Sequence, residues 1–182
     1  QPPGTIGSDS TSRLLRDALH DDEVKAVVLR IDSPGGSMLA SEVIRREIDA
    51  LREAGKPVIA SMSSMAASGG YYIAMDADVI WASPAPLTGS IGGCGVVPTV
   101  ERTLQKFGVT IDGVGTTPYA GSLRLDRTLN DGAKEILQNS INHAYTVFVN
   151  NVAAAREKSF DDIDAVAQGR VWAGVDAPQN GL

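Results

Sequence analysis

Ser68 is the residue whose setting most suggests chemistry. It stands in Ser61-Met-Ser-Ser-Met-Ala-Ala-Ser-Gly-Gly-Tyr-Tyr-Ile73, after a short apolar run, Pro57-Val-Ile-Ala60. The order reads as strand, tight turn, helix. A serine at such a turn lies close to unpaired backbone N–H groups, which favour negative charge. The glycines that follow allow a substrate or a second backbone to approach closely. Ser68 is therefore the candidate nucleophile. Acyl transfer also needs donors for an oxyanion, usually two backbone N–H groups. Gly35-Gly36, in the loop Asp32-Ser-Pro-Gly-Gly-Ser37, can present one, and Gly69 the other. A plain turn at Pro34-Gly35-Gly36 and a tightly packed serine are the competing structural explanations.

A serine nucleophile needs a base, and the chain offers none that is evident. His20 lies in the acidic turn His20-Asp-Asp-Glu23, and His143 in mid-helix beside an apolar stripe. A Ser-His-Asp arrangement is not supported. A lysine of lowered pKa is the other established base. Lys25 and Lys56 stand at strand starts, Lys106 ends a helix, and Lys134 and Lys158 lie on the polar side of a long one. None has a route to Ser68. Gly89-Ser-Ile-Gly-Gly-Cys-Gly95 is no dinucleotide fingerprint, and no phosphate loop is present. Cys94 is the single cysteine and has no partner; Asp76 and Asp78 flank a strand start without further metal ligands. No cofactor and no metal are expected.

The elements that must position these residues follow from periodicity. Residues 1–10 read as an extended lead-in and 12–20 as a helix with one apolar face. Val24–Ile31 is a buried parallel strand. A helix then runs to about Ala54, with Ala40, Ile44, Ile48 and Leu51 on one stripe, and Gly55 stops it. The grammar repeats: a strand over 57–62, a turn at Ser63–Gly70, a helix to about Met75, and a strand over 78–82. Residues 91–97 are extended but weak as a strand. A helix over 99–107 has Thr99 as N-cap, a strand follows over 109–114, and 115–127 is a long irregular loop. Helices are expected over 130–158 and 161–168, and Trp172 with the final residues reads as a last helical turn. Alternating strands and helices predict a parallel sheet with right-handed crossovers. Its site would lie beyond the carboxyl ends of the strands, where the Asp32–Ser37 and Ser63–Gly70 loops fall.

Bulk properties bound the rest. A chain of 182 residues with 43% hydrophobic and 21% charged residues suits one globular domain and could stretch to two small ones. The net charge of −6 argues against a nucleic-acid surface. No stretch has the length of a transmembrane helix. The opening Gln1-Pro-Pro-Gly4, without methionine, reads as a piece of something longer.

Four motifs together resemble peptidase family S49, the signal peptide peptidase A group: Asp32-Ser-Pro-Gly-Gly-Ser37, Met65-Ala-Ala-Ser-Gly-Gly-Tyr-Tyr72, Leu87-Thr-Gly-Ser-Ile-Gly92 and Gly169-Arg-Val-Trp-Ala-Gly174. They fall in order, with compatible spacing, from about Val24 to the end. The resemblance implies an α/β chain of the ClpP/crotonase-like fold, with a mostly parallel sheet flanked by helices, as one domain over 1–182. It implies Ser68 as the nucleophile of a Ser-Lys dyad, and Gly35, Gly36 and Gly69 at the oxyanion positions. Ser90 would orient the lysine. Met38, Met65 and Leu87 are expected in the substrate cleft. One departure stands out: where short members carry their lysine, Thr117-Pro-Tyr-Ala-Gly-Ser122 holds Ala120. Long members carry two tandem copies, the amino-terminal one giving the lysine and the carboxy-terminal one the serine. This chain is similar to the carboxy-terminal copy. The resemblance further implies a tetramer, a membrane anchor with the catalytic body outside the cytoplasm, and released signal peptides as substrates. A crotonase-like acyl-CoA enzyme, with the same N–H groups holding an enolate, is the alternative. A scaffold domain inactive through Ala120 is another.

Overall fold

A computed structural model describes residues 4–182. They form two compact units, one of residues 4–92 with 145–182 and the other of residues 93–144.

The first unit carries the sheet. Helix α1 (Ser8–His20) leads to strand β1 (Val27–Ser33), helix α2 (Met38–Glu53), strand β2 (Val58–Ala67) and helix α3 (Gly69–Ala74). Strands β3 (Val79–Trp81) and β4 (Leu87–Gly89) follow. The strand order is β1-β2-β4-β5, with β3 beside the first half of β2. Pairing is parallel from β1 to β2, β2 to β3 and β2 to β4. It is antiparallel only from β4 to β5 (Val171–Ala173). The expected α/β architecture, mostly parallel and flanked by helices, is present.

Burial explains the pattern. Ile31, Val58, Ala60 and Met62 join Ile44, Ile48 and Leu51 of α2 in one core with Tyr71 and Tyr72 of α3. The carboxy-terminal part of helix α5 (Asp131–Ala155) adds Phe148, Val149 and Val152. Each fully buried aliphatic of this set contributes roughly 1.5–3 kcal/mol over its exposed state. Polar groups fix the helix starts. Ser37 caps α2 through the Ala40 N–H, and Ser159 with Asp162 forms a capping box on helix α6 (Phe160–Val166). The Lys56 ammonium donates to the carbonyls of Ala18, Leu19 and Asp21, closing the end of α1.

Several expectations need correction. The extended lead-in stops early, because α1 starts at Ser8; Gln1–Pro3 lie outside the described residues. Strand β2 runs on to Ala67 through what reads in sequence as a loop. Its residues Met65, Ala66 and Ala67 pair with β4, and the Thr88 hydroxyl donates to the Ala66 carbonyl at 2.9 Å. Trp172 lies on β5 rather than in a helical turn, its indole N–H donating to the Val166 carbonyl; only Pro178–Asn180 form a short 3₁₀ turn.

The second unit holds helix α4 (Glu101–Lys106), the amino-terminal part of α5 and irregular chain between. Val100, not Thr99, caps α4. Residues 109–114 form no strand. The Val109 N–H instead returns to the Leu104 carbonyl at 3.0 Å, and Gly108 at φ +74° makes the left-handed stop of α4. Glu101 accepts the Thr128 N–H at 2.8 Å, which closes the intervening loop.

Candidate active site

The turn at Ser68 is held at both sides. The Ser68 N–H donates to the Gly89 carbonyl and its own carbonyl accepts the Tyr72 N–H, both at 2.8 Å. Between these anchors the backbone takes φ 51° and ψ −119°. A non-glycine residue in that conformation stores about 1–3 kcal/mol, which surrounding structure must hold. Such strain at a serine is an observation that directs attention to function.

The glycines show how closely the neighbouring loop approaches. A Cβ placed on Gly35 would lie 2.7 Å from Ser68 Cβ, 3.0 Å from Ser68 Oγ and 2.8 Å from the Gly69 nitrogen. Gly35 also has φ +110°, so both space and backbone conformation require glycine there. A Cβ on Gly69 would lie 3.2 Å from the Gly36 nitrogen and 2.6 Å from Ser41 Oγ. The loop after β1 and the turn after β2 are thus in direct contact. Gly35, Gly36, Ser68 and Gly69 share one small region at the carboxyl ends of the two strands, as the sequence predicts.

Ser90 follows β4 at φ 50°, its N–H donating to the Arg170 carbonyl at 2.7 Å. It neighbours Gly89, whose carbonyl holds Ser68, so the third motif joins the same region. Met65 and Leu87 are register partners across β2 and β4, with Leu87 exposed. Met38 lies apart in character: its side chain packs against the core of the sheet-bearing unit.

Among the described residues, no side chain makes a hydrogen bond to Ser68 Oγ. Lys56 is committed to α1, Lys25 to the Asp22 carbonyl, and the Lys158 chain lies against Gly181. His20 meets the Arg16 carbonyl on exposed surface. Ala120 sits in a turn of the second unit, its N–H donating to the Thr117 carbonyl. Asp76 and Asp78 pair with Arg45 and Arg52.

One polar cluster escaped the sequence reading. The Tyr72 hydroxyl donates to Glu42 Oε2 at 2.9 Å and accepts from Asn151 Nδ2 at 2.7 Å. Arg45 binds Glu42, Asp49 and Asp76. The Arg45 hydrogen bond, opposed by burial and aided by Arg46 and Tyr72, lowers the Glu42 carboxyl to about 2. Burial, then Glu42, pushes the Tyr72 phenol up to about 12. The spacing of Glu42, Arg45 and Arg46 on one helix is a usable signal for part of this network. Tyr72 and Asn151 are 79 residues apart, and no local pattern joins them.

Comparison with known proteins decides the family. The model for Peptidase family S49 matches residues 50–182. The chain belongs to peptidase family S49. Among S49 relatives, Protease 4 of Salmonella typhi is 50% identical over the whole chain, which covers 29% of that protein. The chloroplastic serine protease SPPA of Arabidopsis thaliana is 41% identical, again over the whole chain and 27% of that protein. The chain therefore spans less than a third of the length of these relatives. The solved structure of a ClpP1 point mutant from Listeria monocytogenes superposes with a TM-score of 0.60 at 15% identity, covering 96% of this chain and 80% of that one. The S49 chain thus has a ClpP-like fold. No helix among its described residues is long and apolar enough to cross a membrane.

Proposed function

We propose that this S49 chain is the serine-bearing domain of a Ser-Lys endopeptidase. The observation that carries the reading is the interlock of Gly35, Gly36 and Gly69 around a strained Ser68. In the reaction, a neutral lysine takes the Ser68 proton and Oγ attacks a peptide carbonyl. The carbonyl electron pair moves onto oxygen, which the N–H groups of Gly36 and Gly69 meet. Collapse of this intermediate breaks the C–N bond, and the lysine returns the proton to the leaving amine. Water, deprotonated by the same lysine, then attacks the acyl carbon; the C–Oγ bond breaks, the lysine returns the proton to Ser68 Oγ, and the acyl group leaves as the acid. Backbone donors already in place suit charge that develops only in the transition state.

The lysine comes from another domain of a longer polypeptide: Ala120 occupies the matching position here, and Lys25 and Lys56 of the sheet-bearing unit are bonded to backbone carbonyls. Ser90 orients that lysine. Met65 and Leu87, side by side near the serine, line an apolar cleft suited to small and hydrophobic side chains. Met38, which packs against the core, is the third residue proposed for that cleft. The substrates are signal peptides already released from their proteins. The working enzyme is a tetramer, anchored at a bacterial membrane with this domain on the extracytoplasmic side, and it needs no cofactor. Family membership favours this reading over an acyl-CoA enzyme.

The test uses the full-length protein and a serine-reactive peptidyl probe, read by mass spectrometry of the Ser68 peptide. The expected result is one covalent adduct on Ser68, absent in Ser68→Ala. An adduct that survives Ser68→Ala removes the nucleophile assignment.

A further inference from the structure

The two oxyanion donors sit on separate segments. Gly36 precedes α2 by one residue, Ser37, and Gly69 opens α3. At the donors themselves the segments meet through glycine backbone, with no side chain of either glycine to fix their spacing. The packing of α2 against α3 must therefore set it. Next to the donors, Ser41 Oγ lies against Gly69, where an added Cβ would approach it to 2.6 Å. At the next residue of α2 and about one turn along α3, the Tyr72 hydroxyl donates to Glu42 at 2.9 Å. Beyond the end of α3, Asp76 meets Arg45 at 2.6 Å. Glu42 is itself held by Arg45 at 2.7 Å and Arg46 at 2.8 Å. From α5, Asn151 donates to the Tyr72 oxygen at 2.7 Å, which turns the Tyr72 proton toward Glu42. The ring is seated independently of its hydroxyl, edge-on to Phe148 with centroids 4.8 Å apart.

We propose that the Tyr72 hydroxyl, clamped between Glu42 and Asn151, is a positioning group that fixes the spacing of the Gly36 and Gly69 donors. It touches no reacting atom. It acts through α3, whose Tyr72 N–H also holds the Ser68 carbonyl at 2.8 Å. Arg45 holds the Glu42 carboxyl well below the usual carboxylate range and burial pushes the Tyr72 phenol up, so near neutral pH the clamp joins a carboxylate to a protonated phenol. The proposal rests on the serine-peptidase reading above. A small displacement of one donor weakens binding of the oxyanion while leaving ground-state binding of the peptide intact, so the loss falls on kcat.

Kinetics of the full-length protein on a peptide substrate test it. Tyr72→Phe keeps the ring and is expected to lower kcat about 5–30-fold with KM within about twofold, by analogy with loss of part of an oxyanion donor. Asn151→Ala, at a half-buried position, is expected to lower kcat less. The double variant should match Tyr72→Phe, since both substitutions act through one hydroxyl. Wild-type kcat in Tyr72→Phe, a loss confined to KM, or additive effects would each overturn the clamp. If Tyr72→Phe does not fold, Asn151→Ala decides alone: an unchanged kcat overturns the proposal. Ser68→Ala is measured alongside. If it is inactive while Tyr72→Phe is wild type, only the clamp has failed; if it turns over normally, the serine reading has failed and the clamp falls with it.

Discussion

The sheet-bearing unit and the second unit, residues 93–144, solve different problems. Among the described residues, the first holds every buried hydrophobic residue but one; the exception, Ala133, belongs to the second. The second leaves Val96, Phe107, Val114, Leu123 and Ile136 exposed. Its loops are closed instead by polar bonds, such as Asn130 to Pro118 and Ser122 and Glu101 to Thr128. The difference teaches where precision is built. Strain at Ser68 and contacts at Gly35 and Gly69 can be maintained only against a packed core, and they all lie in the first unit. The second carries Ala120, in a turn closed by its N–H to the Thr117 carbonyl.

The comparison can be broken at the serine first. Ser68→Ala in the full-length protein is expected to lower kcat about 10⁴–10⁶-fold, as removal of a nucleophile does elsewhere; steady-state hydrolysis of a peptide checks it. Gly35→Ala comes next. Its new Cβ would fall 2.7 Å from Ser68 Cβ at φ +110°, and kcat should drop about 10²–10³-fold with the oxyanion site disturbed. Gly108→Ala in the second unit shares the positive φ but meets nothing within 4 Å, so it should cost only about 1–2 kcal/mol of local strain. Denaturant melts of each variant separate the two cases.

Core substitutions sharpen the contrast on stability. Ile48→Ala, at a residue 0% exposed, is expected to cost about 2–5 kcal/mol. Phe107→Ala, at a residue 80% exposed, should cost no more than about 0.5 kcal/mol. Equal losses in urea titrations would mean that the second unit is as tightly cored as the first. The smallest effect is on pH dependence. The Glu42 carboxyl is lowered in the folded state from 4.5 to about 2, so its contribution is present above pH 4.5 and is lost as pH falls toward 2. The Tyr72 phenol is raised from 10.0 to about 12, so its contribution is present below pH 10 and is lost as pH rises toward 12. Tyr72→Phe should flatten the alkaline limb and Glu42→Gln the acid limb of a stability profile.

What could be read from sequence followed burial. The apolar stripe Ile44, Ile48, Leu51 marked α2 because those residues do face the core. The loops carrying Gly35, Gly36, Ser68 and Gly69 were legible because glycines at a strand's end have a geometric meaning independent of context. Val109, Ile111 and Val114 look like a strand by composition, yet they have no neighbour to pair with and are exposed, so propensity did not decide. Strand β2 was underestimated because Met65-Ala66-Ala67 has little strand propensity and is recruited by β4 through backbone pairing. Strand β5 is three residues long, below the length at which alternation can be recognised. The Glu42–Tyr72–Asn151 cluster depends on three helices meeting, which no local pattern encodes.

The central claim is that this chain holds a nucleophile whose base lies elsewhere in a longer polypeptide. The most direct measurement is the rate at which a serine-reactive peptidyl probe labels Ser68 in this chain alone and in the full-length protein, followed by mass spectrometry. The account expects labelling in the full-length protein and almost none in the isolated chain, since a serine without its general base is a weak nucleophile. Equal labelling of Ser68 in the isolated chain would place a base within these 182 residues and contradict the account.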